Sequence, residues 1–300
     1  MNRVVLVYNK RSSHAQEVQE QVAKPLHELF PQGIIEYQIK PTSFEDNTKH
    51  IAKLLRDHDL VIAAGGDGTA AITANGVLAS KHRQIRVGFL GYGNFNDIAH
   101  TFSHKKSIHD LIIHHENIVD VYPLDISIDG KHFRYAVLYA TFGLLAGAAN
   151  EFEDRAKRNK LQNGGANFLS SLFALLPYYL RSKNTVFLPP NDISDHKITD
   201  YLAVNGPRMA KAFRTNSELY RTELFLQTNL NVSRFFATSP FVLRSLFGHM
   251  PGTLKHSDHF SLKTPSSLDL QTDGEYRLLE QVHKITITKP RAPLHVIKPR

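Results

Sequence analysis

Three glycines surround a single carboxylate in the segment Gly65-Gly66-Asp67-Gly68-Thr69, which directly follows an apolar run. Glycines at the end of a strand let the backbone approach a phosphate, and the start of a following helix offers unpaired N–H groups and a positive dipole end. Thr69 is expected to cap that helix, and Asp67 suits a phosphate site only where Mg²⁺ or a hydrogen-bond network mediates. The segment predicts either a nucleotide site with a metal or a strand-to-helix turn without a ligand.

Two further loops carry residues suited to the same chemistry. Asn9-Lys10-Arg11-Ser12-Ser13 follows the first apolar run, and Gly91–Asp97 follows the fourth. Near the C-terminus, Asp273-Gly274-Glu275 is on local grounds typical of a hairpin turn. The chain contains neither GxxxxGK[ST], nor protein-kinase signatures, nor GxGxxG, which excludes those common nucleotide-binding classes.

Strands and helices alternate through the first third of the chain, and this order positions the loops. The first helix is predicted at 15–30, because its apolar residues recur at helical spacing: Val18, Val22, Leu26 and Leu29. Strands are predicted at 4–8, 33–40, 59–64 and 85–90, and further helices at 43–57 (with Ser43 and Asp46 at capping spacing) and 69–80. This alternation predicts a parallel sheet covered on both faces, whose ligand crevice lies beyond the carboxyl ends of the strands. The three loops are therefore expected to converge there.

Beyond about residue 120 the pattern becomes rich in strands. Two antiparallel strands are predicted around the turn Asp129-Gly130. Further short strands are predicted at 198–205, 221–229, 259–264, 267–272 and 284–289. Helices are predicted near Leu144–Lys157, at Ala166–Arg181, and from Ser239 to Gly248. The residues themselves thus predict an α/β domain joined to a β-rich domain.

Composition limits the class of protein and its partners. Of 300 residues, 42% are hydrophobic and 21% charged, as in globular proteins, and the net charge of +8 favours anionic partners such as nucleotides or an anionic membrane surface. The absence of cysteine excludes disulfides, Cys-ligated zinc and thiol catalysis. The N-terminus lacks the apolar core of a signal peptide, and the densest apolar run, 167–180, is too short to span a bilayer. We expect a soluble cytoplasmic protein that visits a membrane surface.

The segment 65–69, the loops before and after it, and the late Asp273-Gly274-Glu275 together resemble the diacylglycerol kinase catalytic-domain family. This family includes soluble bacterial lipid kinases and the sphingosine and ceramide kinases, and the NAD kinases are more distant. The resemblance covers nearly the whole chain. It implies an N-terminal three-layer α/β domain with a parallel sheet over residues 1–120, and a C-terminal β-sandwich domain over 121–289 that binds the lipid. A tail at about 290–300 is expected to return to the first domain.

The resemblance also implies an ATP- and Mg²⁺-dependent lipid kinase, with diacylglycerol as the simplest substrate, and a role for each matching residue. Asp273 is expected to be the general base, and Glu275 to support the metal or the base. Asp67 and Asp97 are expected in the Mg²⁺ and phosphate network. The residues expected to line the nucleotide site are Asn9, Ser12, Ser13, Gly65, Gly66, Asp67, Gly68, Thr69, Asn96 and Asp97.

Several positions depart from the family pattern. The first loop has Lys10 and Arg11 but lacks the family's Pro and Gly, and aligning Asn96-Asp97 with the family's Asn-Asp places Phe95 where glycine is usual. The region 205–226 lacks the family's acidic metal loop, so no structural Mg²⁺ is expected there. Two alternatives therefore stay open: a nucleotide- or lipid-binding regulator without activity, and a kinase for a soluble hydroxyl such as that of NAD. We expect a lipid at a membrane surface as partner and no nucleic acid, and we leave homodimerisation open.

Overall fold

The computed structural model describes residues 3–93, 96–102, 107–143, 146–147, 150, 198–206, 208–209, 213–214, 224–230, 253–257, 259–264 and 267–298. Phe95 lies outside these residues. So do the predicted helices Ala166–Arg181 and Ser239–Gly248, nearly all of the predicted helix at 144–157, and much of the region 205–226. The described residues form two compact units: one contains those up to Pro123 and from Pro290 onward, and the other those between Leu124 and Lys289.

Among the described residues, the first unit contains β1 to β5, six helices and the strand β18 near the C-terminus. Its strands are β1 Val4–Tyr8, β2 Ile34–Gln38, β3 Leu60–Gly65, β4 Arg86–Gly91, β5 Ile118–Val121 and, at the end of the chain, β18 Leu294–Ile297. Its helices are α1 Ala15–Val18, α2 Lys24–Leu29, α3 Phe44–Leu54, α4 Asp67–Ala79, α5 Asp97–Phe102 and α6 Ile108–Ile113, with a π-helical turn at Gln19–Ala23 between α1 and α2.

The second unit contains twelve of the strands in the described part of the chain. They are β6 Leu124–Ile128, β7 Lys131–Ala136, β8 Tyr139–Gly143, β9 Ile198–Val204, β10 Arg208–Met209, β11 Phe213–Arg214, β12 Leu224–Leu230, β13 Thr253–Ser257, β14 Phe260–Lys263, β15 Ser267–Thr272, β16 Glu275–Glu280 and β17 Lys284–Thr288. Of these, β10, β11, β13 and β16 lie outside the strands predicted from the sequence.

A six-stranded sheet with the order β2-β1-β3-β4-β18-β5 forms the centre of the first unit. All its neighbouring pairs are parallel except β18 and β5. β1 and β3 are buried at every residue, as expected for strands covered on both faces. The predicted parallel sheet is therefore confirmed, and the loops after β1, β2, β3 and β4 leave it along the same edge.

The first helical segment differs from the regular helix predicted for residues 15–30, because a π-helical turn at Gln19–Ala23 interrupts it just before Pro25. Val18, Val22 and Leu26 are buried as predicted, but Leu29 is 46% exposed. Proline lacks an N–H and cannot continue a regular ladder, and a wider turn shifts the following residues around the helix axis. After that shift Phe30 packs on the core in place of Leu29.

The second unit is a β-sandwich, which confirms that part of the predicted fold. One sheet has the order β13-β12-β9-β8-β15-β16, and a second has the order β14-β17-β6-β7, while β10 and β11 pair as a separate two-stranded sheet. A single cluster of buried apolar residues takes members from both sheets, including Phe142 of one and Ile287 of the other. Apolar side chains that interdigitate from two inner faces are the core of a sandwich.

No helix among the described residues is long and apolar enough to cross a membrane.

Candidate active site

The segment from β3 to α4 forms a strand-to-helix turn whose residues 66–68 are partly exposed. Gly66 is the N-cap in an extended conformation, and α4 begins at Asp67. The first backbone bond of the helix runs from the N–H of Ala70 to the carbonyl of Gly66 (3.1 Å). The N–H groups of Gly68 and Thr69 therefore have no acceptor within the helix, and they lie at the positive end of its dipole. This arrangement suits an anion such as a phosphate.

Thr69 does not cap α4, which corrects the sequence-based expectation. The helix begins two residues earlier than predicted, and its N-cap makes no side-chain hydrogen bond. Thr69 is buried instead, and a Cβ placed on Gly65 would lie 2.5 Å from its hydroxyl oxygen. Gly65 is therefore required at this position because Thr69 fills the space that a side chain would need.

Two glycines bring the loops after β3 and β4 into direct contact. A Cβ on Gly93 would lie 2.4 Å from the Cα of Gly66, so any larger residue would push the loops apart. The N–H of Tyr92 donates to the carbonyl of Gly65 (2.9 Å) and ties the same loops together. The Tyr92 ring is buried, and its hydroxyl donates to Gln21 of the π-helical turn (3.2 Å). Burial and the charge of Glu17 raise the Tyr92 pKa to about 12, so the hydroxyl remains a donor at neutral pH.

Asn96 shapes the second of these loops. It has a left-handed backbone (φ 58°), which asparagine tolerates better than most residues. Its side-chain oxygen accepts the N–H of Gly93 (2.7 Å), and its amide donates to the carbonyl of Gly93 (2.6 Å). The Asn96 side chain is therefore engaged in closing its own loop.

Asp67 and Asp97 lie at the first positions of α4 and α5, and a hydrogen bond links these two helix starts. The carboxylate of Asp67 accepts the N–H of Ile98, the residue after Asp97 (2.9 Å). The described residues contain no cluster of three or more His, Asp or Glu side chains that could hold a metal. Mg²⁺ commonly takes only one or two carboxylates and completes its shell with water and substrate phosphates. The pair Asp67 and Asp97 therefore fits a Mg²⁺ that binds together with a nucleotide.

The loop after β1 is held by its own polar side chains. The side-chain oxygen of Asn9 accepts the N–H of Arg11 (3.0 Å), and the hydroxyl of Ser12 accepts the N–H of His14 (3.2 Å). Ser13 and Arg11 are exposed. Asn9 and Ser12 therefore fix the backbone of this loop, which lies at the same edge of the sheet as the other loops.

A fourth loop at this edge, residues 39–43 after β2, was not among the predicted site segments. Asn47 is buried (1% exposed), and its side-chain oxygen accepts the N–H of Lys40 (2.9 Å). Its amide donates to the hydroxyl of Thr42 (3.2 Å) and to the carbonyl of Lys40 (3.1 Å). The signal available in the sequence was the position of Lys40-Pro41-Thr42-Ser43 after a strand, at the same edge as the other loops.

Asp273 of the second unit lies in the hairpin turn between β15 and β16, as the local pattern predicted. Asp273 and Gly274 have the left-handed φ values of 47° and 89° that tight hairpins require. The side chain is only 1% exposed, and its oxygens accept the N–H groups of Val137 (2.5 Å), Leu138 (2.9 Å) and Tyr139 (3.1 Å). This carboxylate is therefore held in one orientation by rigid backbone donors.

Glu275 opens β16, opposite Thr272 of β15. It is partly buried. One hairpin thus contains both acidic residues that were singled out near the C-terminus.

Two polar residues beside this turn were missed in the sequence. Asn205 follows β9, is 1% exposed, and donates its side-chain amide to the carbonyl of Val137 (2.7 Å). Lys289 follows β17, and its ammonium donates to the side-chain oxygen of Asn205. Burial lowers the pKa of Lys289 to about 7. No local pattern marks this pair, because the two residues are 84 positions apart and meet only in the folded sandwich.

The predicted site residues thus form two groups, each within one unit. The loops of the first unit carry Asn9, Ser12, Ser13, Gly65, Gly66, Asp67, Gly68, Thr69, Asn96 and Asp97 along one edge of its sheet. The turn of the second unit carries Asp273 and Glu275. The first group offers backbone donors and carboxylates suited to a phosphate and a cation, and the second offers a fixed carboxylate.

Comparisons with known proteins agree with this geometry. Residues 3–123 match the model of the diacylglycerol kinase catalytic domain, which confirms the resemblance predicted from the glycine segment. A Staphylococcus aureus (strain Mu3) protein named "Putative lipid kinase" is 27% identical over 263 residues, which span 78% of this chain and 75% of that protein.

Two solved structures share the fold over 99% of this chain. A "putative diacylglycerol kinase" from Bacillus anthracis str. Sterne aligns over 97% of its own length with a TM-score of 0.70 and 17% identity. An NAD kinase from Archaeoglobus fulgidus in complex with ATP aligns over 94% of its length with a TM-score of 0.54 and 10% identity. At these identities the similarity establishes the two-domain architecture.

Proposed function

Residues 3–123 match the model of the diacylglycerol kinase catalytic domain, and on this premise we propose that the protein is an ATP-dependent lipid kinase. It transfers the γ-phosphate of ATP to a lipid hydroxyl, and diacylglycerol is the acceptor that we propose first. The relative named as a lipid kinase, which aligns over 78% of this chain, supports a lipid as the acceptor class.

The observation that carries this proposal is the contact between Gly66 and Gly93 at the start of α4. A Cβ on Gly93 would lie 2.4 Å from the Cα of Gly66, and in the first turn of α4 the N–H groups of Gly68 and Thr69 lie without helical acceptors. Phosphoryl transfer depends chiefly on positioning and charge neutralisation, and fixed backbone donors provide both at low reorganisation cost. We assign the nucleotide phosphates to this turn, with Asn9, Ser12 and Ser13 beside them.

Asp67 and Asp97 would hold Mg²⁺ together with the nucleotide phosphates. Bound there, the metal would neutralise the charge of the transferred phosphate. The chain's own contribution is the hydrogen bond from the N–H of Ile98 to Asp67, which joins the starts of α4 and α5, where the two residues lie.

Asp273 is the residue that we propose as general base for the lipid hydroxyl. A base must be an acceptor held in a fixed place within hydrogen-bond reach of the proton that it removes. Three backbone N–H groups orient this carboxylate and stabilise its ionised form, which is the form that accepts a proton. Glu275, two residues further on, is proposed to support the metal or the base.

An acceptor panel tests the proposal. The protein is incubated with labelled ATP, Mg²⁺ and, separately, diacylglycerol, ceramide, sphingosine and NAD, and the products are separated. We expect label on diacylglycerol. If no acceptor is labelled while a control kinase works, the proposal fails; label on NAD alone would indicate a kinase for a soluble hydroxyl.

Binding of ATP distinguishes an inactive homologue from a misassigned site. Calorimetry should show that ATP binds the wild type and that Gly93→Ala weakens this binding at least about tenfold, because a methyl group 2.4 Å from the Cα of Gly66 displaces the loops. Gly130→Ala is the matched control, since a Cβ there meets nothing within 4 Å. ATP binding without transfer to any acceptor would favour the regulator.

A further inference from the structure

A buried chain of hydrogen bonds in the second unit ends at a lysine. Lys289 is the last residue of that unit, directly after β17. Its ammonium donates to the side-chain oxygen of Asn205. Long side chains lose conformational freedom when they are fixed in this way, so a specific contact must offset that loss.

Asn205 connects the lysine to the segment between β7 and β8. Its side-chain amide donates to the carbonyl of Val137 (2.7 Å), and its backbone N–H donates to the carbonyl of Leu138 (2.7 Å). Asn205 thus binds the carbonyl groups of this segment. Asn205, Val137 and Leu138 are each at most 1% exposed.

The N–H side of the same segment binds Asp273. Val137, Leu138 and Tyr139 donate to its carboxylate, and the N–H of Asp273 returns a bond to the carbonyl of Tyr139 (3.1 Å). Asn205 and Asp273 therefore hold opposite sides of one short segment. Linked hydrogen bonds of this kind in a low-dielectric interior polarise and strengthen one another.

The surroundings of Lys289 disfavour its charged form, unlike those of Lys284 at the start of β17. Burial lowers the pKa of Lys289 to about 7. Lys284, the first residue of β17, is exposed. Burial of a cationic group is unfavourable unless a specific contact compensates for it. The contact of Lys289 is with Asn205, which is linked through residues 137–139 to Asp273.

This inference rests on the proposed function: we propose that Lys289 is a positioning residue, which acts through Asn205 and residues 137–139 to hold Asp273 in the orientation required of the base. Loss of the Lys289 contact leaves the Asn205 oxygen without this donor in a buried place. Asn205 can then rotate, the segment loses a fixed partner on its carbonyl side, and the three donors to Asp273 lose their alignment.

The test is kinetic and compares Lys289, directly after β17, with Lys284, the first residue of that strand. Lys289→Met keeps the length and removes the donor, whereas Lys284→Met removes an exposed lysine. We expect Lys289→Met to lower kcat about tenfold to hundredfold, as small misplacements of catalytic groups do, with the KM for ATP within about twofold. Lys284→Met should match the wild type, and Lys289→Arg, which retains a donor, should recover most of the turnover.

Hydrogen exchange gives a readout that does not depend on activity. In Lys289→Met the backbone N–H groups of residues 137–139 should exchange at least about tenfold faster, while those of β1 and β3 remain unchanged. Asn205→Asp is the second variant, because it keeps an acceptor for Lys289 and loses the donor to Val137; it should show the same local increase.

The possible outcomes separate the two proposals. If the wild type labels no acceptor, the proposed function fails, and faster exchange at 137–139 still supports the network. If the wild type is active and Lys289→Met changes neither kcat nor this exchange, the positioning role is wrong. An equal loss of kcat and stability with no local change in exchange would also contradict it.

Discussion

Two Asp-Gly hairpin turns in the second unit share their sequence and backbone but differ in their surroundings. Asp129 and Gly130 join β6 to β7, and Asp273 and Gly274 join β15 to β16, with left-handed φ values at all four residues. Each aspartate accepts backbone N–H groups from a neighbouring segment and returns its own N–H to a carbonyl there. The Asp129 turn is exposed, whereas the Asp273 side chain is 1% exposed.

Strand β17 begins beside the Asp129 turn and ends beside the hydrogen-bond network of the Asp273 turn. At its start, the N–H of Lys284 donates to Asp129 (2.8 Å), and directly after its end, Lys289 donates to Asn205 beside the Asp273 turn. The same dipeptide therefore forms an exposed connection at Asp129 and holds a buried, hydrogen-bonded carboxylate at Asp273. The turn type is a local property of Asp-Gly, but the chemistry available to the aspartate depends on what packs over it.

The largest expected difference between the two turns is in turnover. Asp273→Asn should lower kcat for lipid phosphorylation at least about hundredfold, because an amide cannot accept the hydroxyl proton. Asp129→Asn should leave kcat unchanged. Initial rates with labelled ATP measure both, and calorimetry should show unchanged ATP binding. Near-normal turnover in Asp273→Asn would remove this residue as the base.

Sequence reasoning predicted the parts of the fold that depend on local patterns. β1 was predicted with its observed bounds because five buried apolar residues stand together, and Ser43 caps α3 as its spacing to Asp46 indicated. Both Asp-Gly turns were predicted from the dipeptide alone. Each of these features is determined by neighbours within a few positions.

Other features could not be predicted because distant residues determine them. β16 was missed because only Leu279 of its six residues is buried and Leu278 is 48% exposed, so the strand has little alternation. Thr69 was predicted to cap α4, but the helix begins two residues earlier and Thr69 packs against Gly65 instead. Lys289 and Asn205 carried no local signal, and their contact needs strands from both sheets of the sandwich in place.

The second difference concerns stability. Asp273→Ala leaves three backbone donors in buried residues without their acceptor, so the free energy of unfolding should fall by about 3 kcal/mol or more. Asp129→Ala leaves the N–H groups of His283 and Lys284 free to bind water, so the free energy of unfolding should fall by only about 0.5 kcal/mol. Urea unfolding measures both; equal costs would mean that the depth of the Asp273 turn does not matter.

The third difference is a pH dependence that only the buried network should show. The pKa of Lys289 is lowered from 10.5 to about 7, so between these values the unfolded chain binds more protons than the folded one. The free energy of unfolding of the wild type, relative to Lys289→Met, should therefore rise with pH by about 1 kcal/mol per unit in this window. Below pH 7 the difference should be constant. Lys284→Met is the control, and a wild-type difference that does not change with pH would contradict the lowered pKa of Lys289.

The smallest difference is expected from the two turn glycines. Alanine at a left-handed position costs about 1 kcal/mol, so Gly130→Ala (φ 79°) and Gly274→Ala (φ 89°) should lower the free energy of unfolding by similar amounts. Only Gly274→Ala should also reduce kcat, because relaxation of its strained backbone moves the neighbouring Asp273 against three fixed donors. Urea unfolding and initial rates on the same preparations measure the two effects. A loss of turnover in Gly130→Ala equal to that in Gly274→Ala would show that general loosening of the sandwich, and not the position of Asp273, limits the reaction.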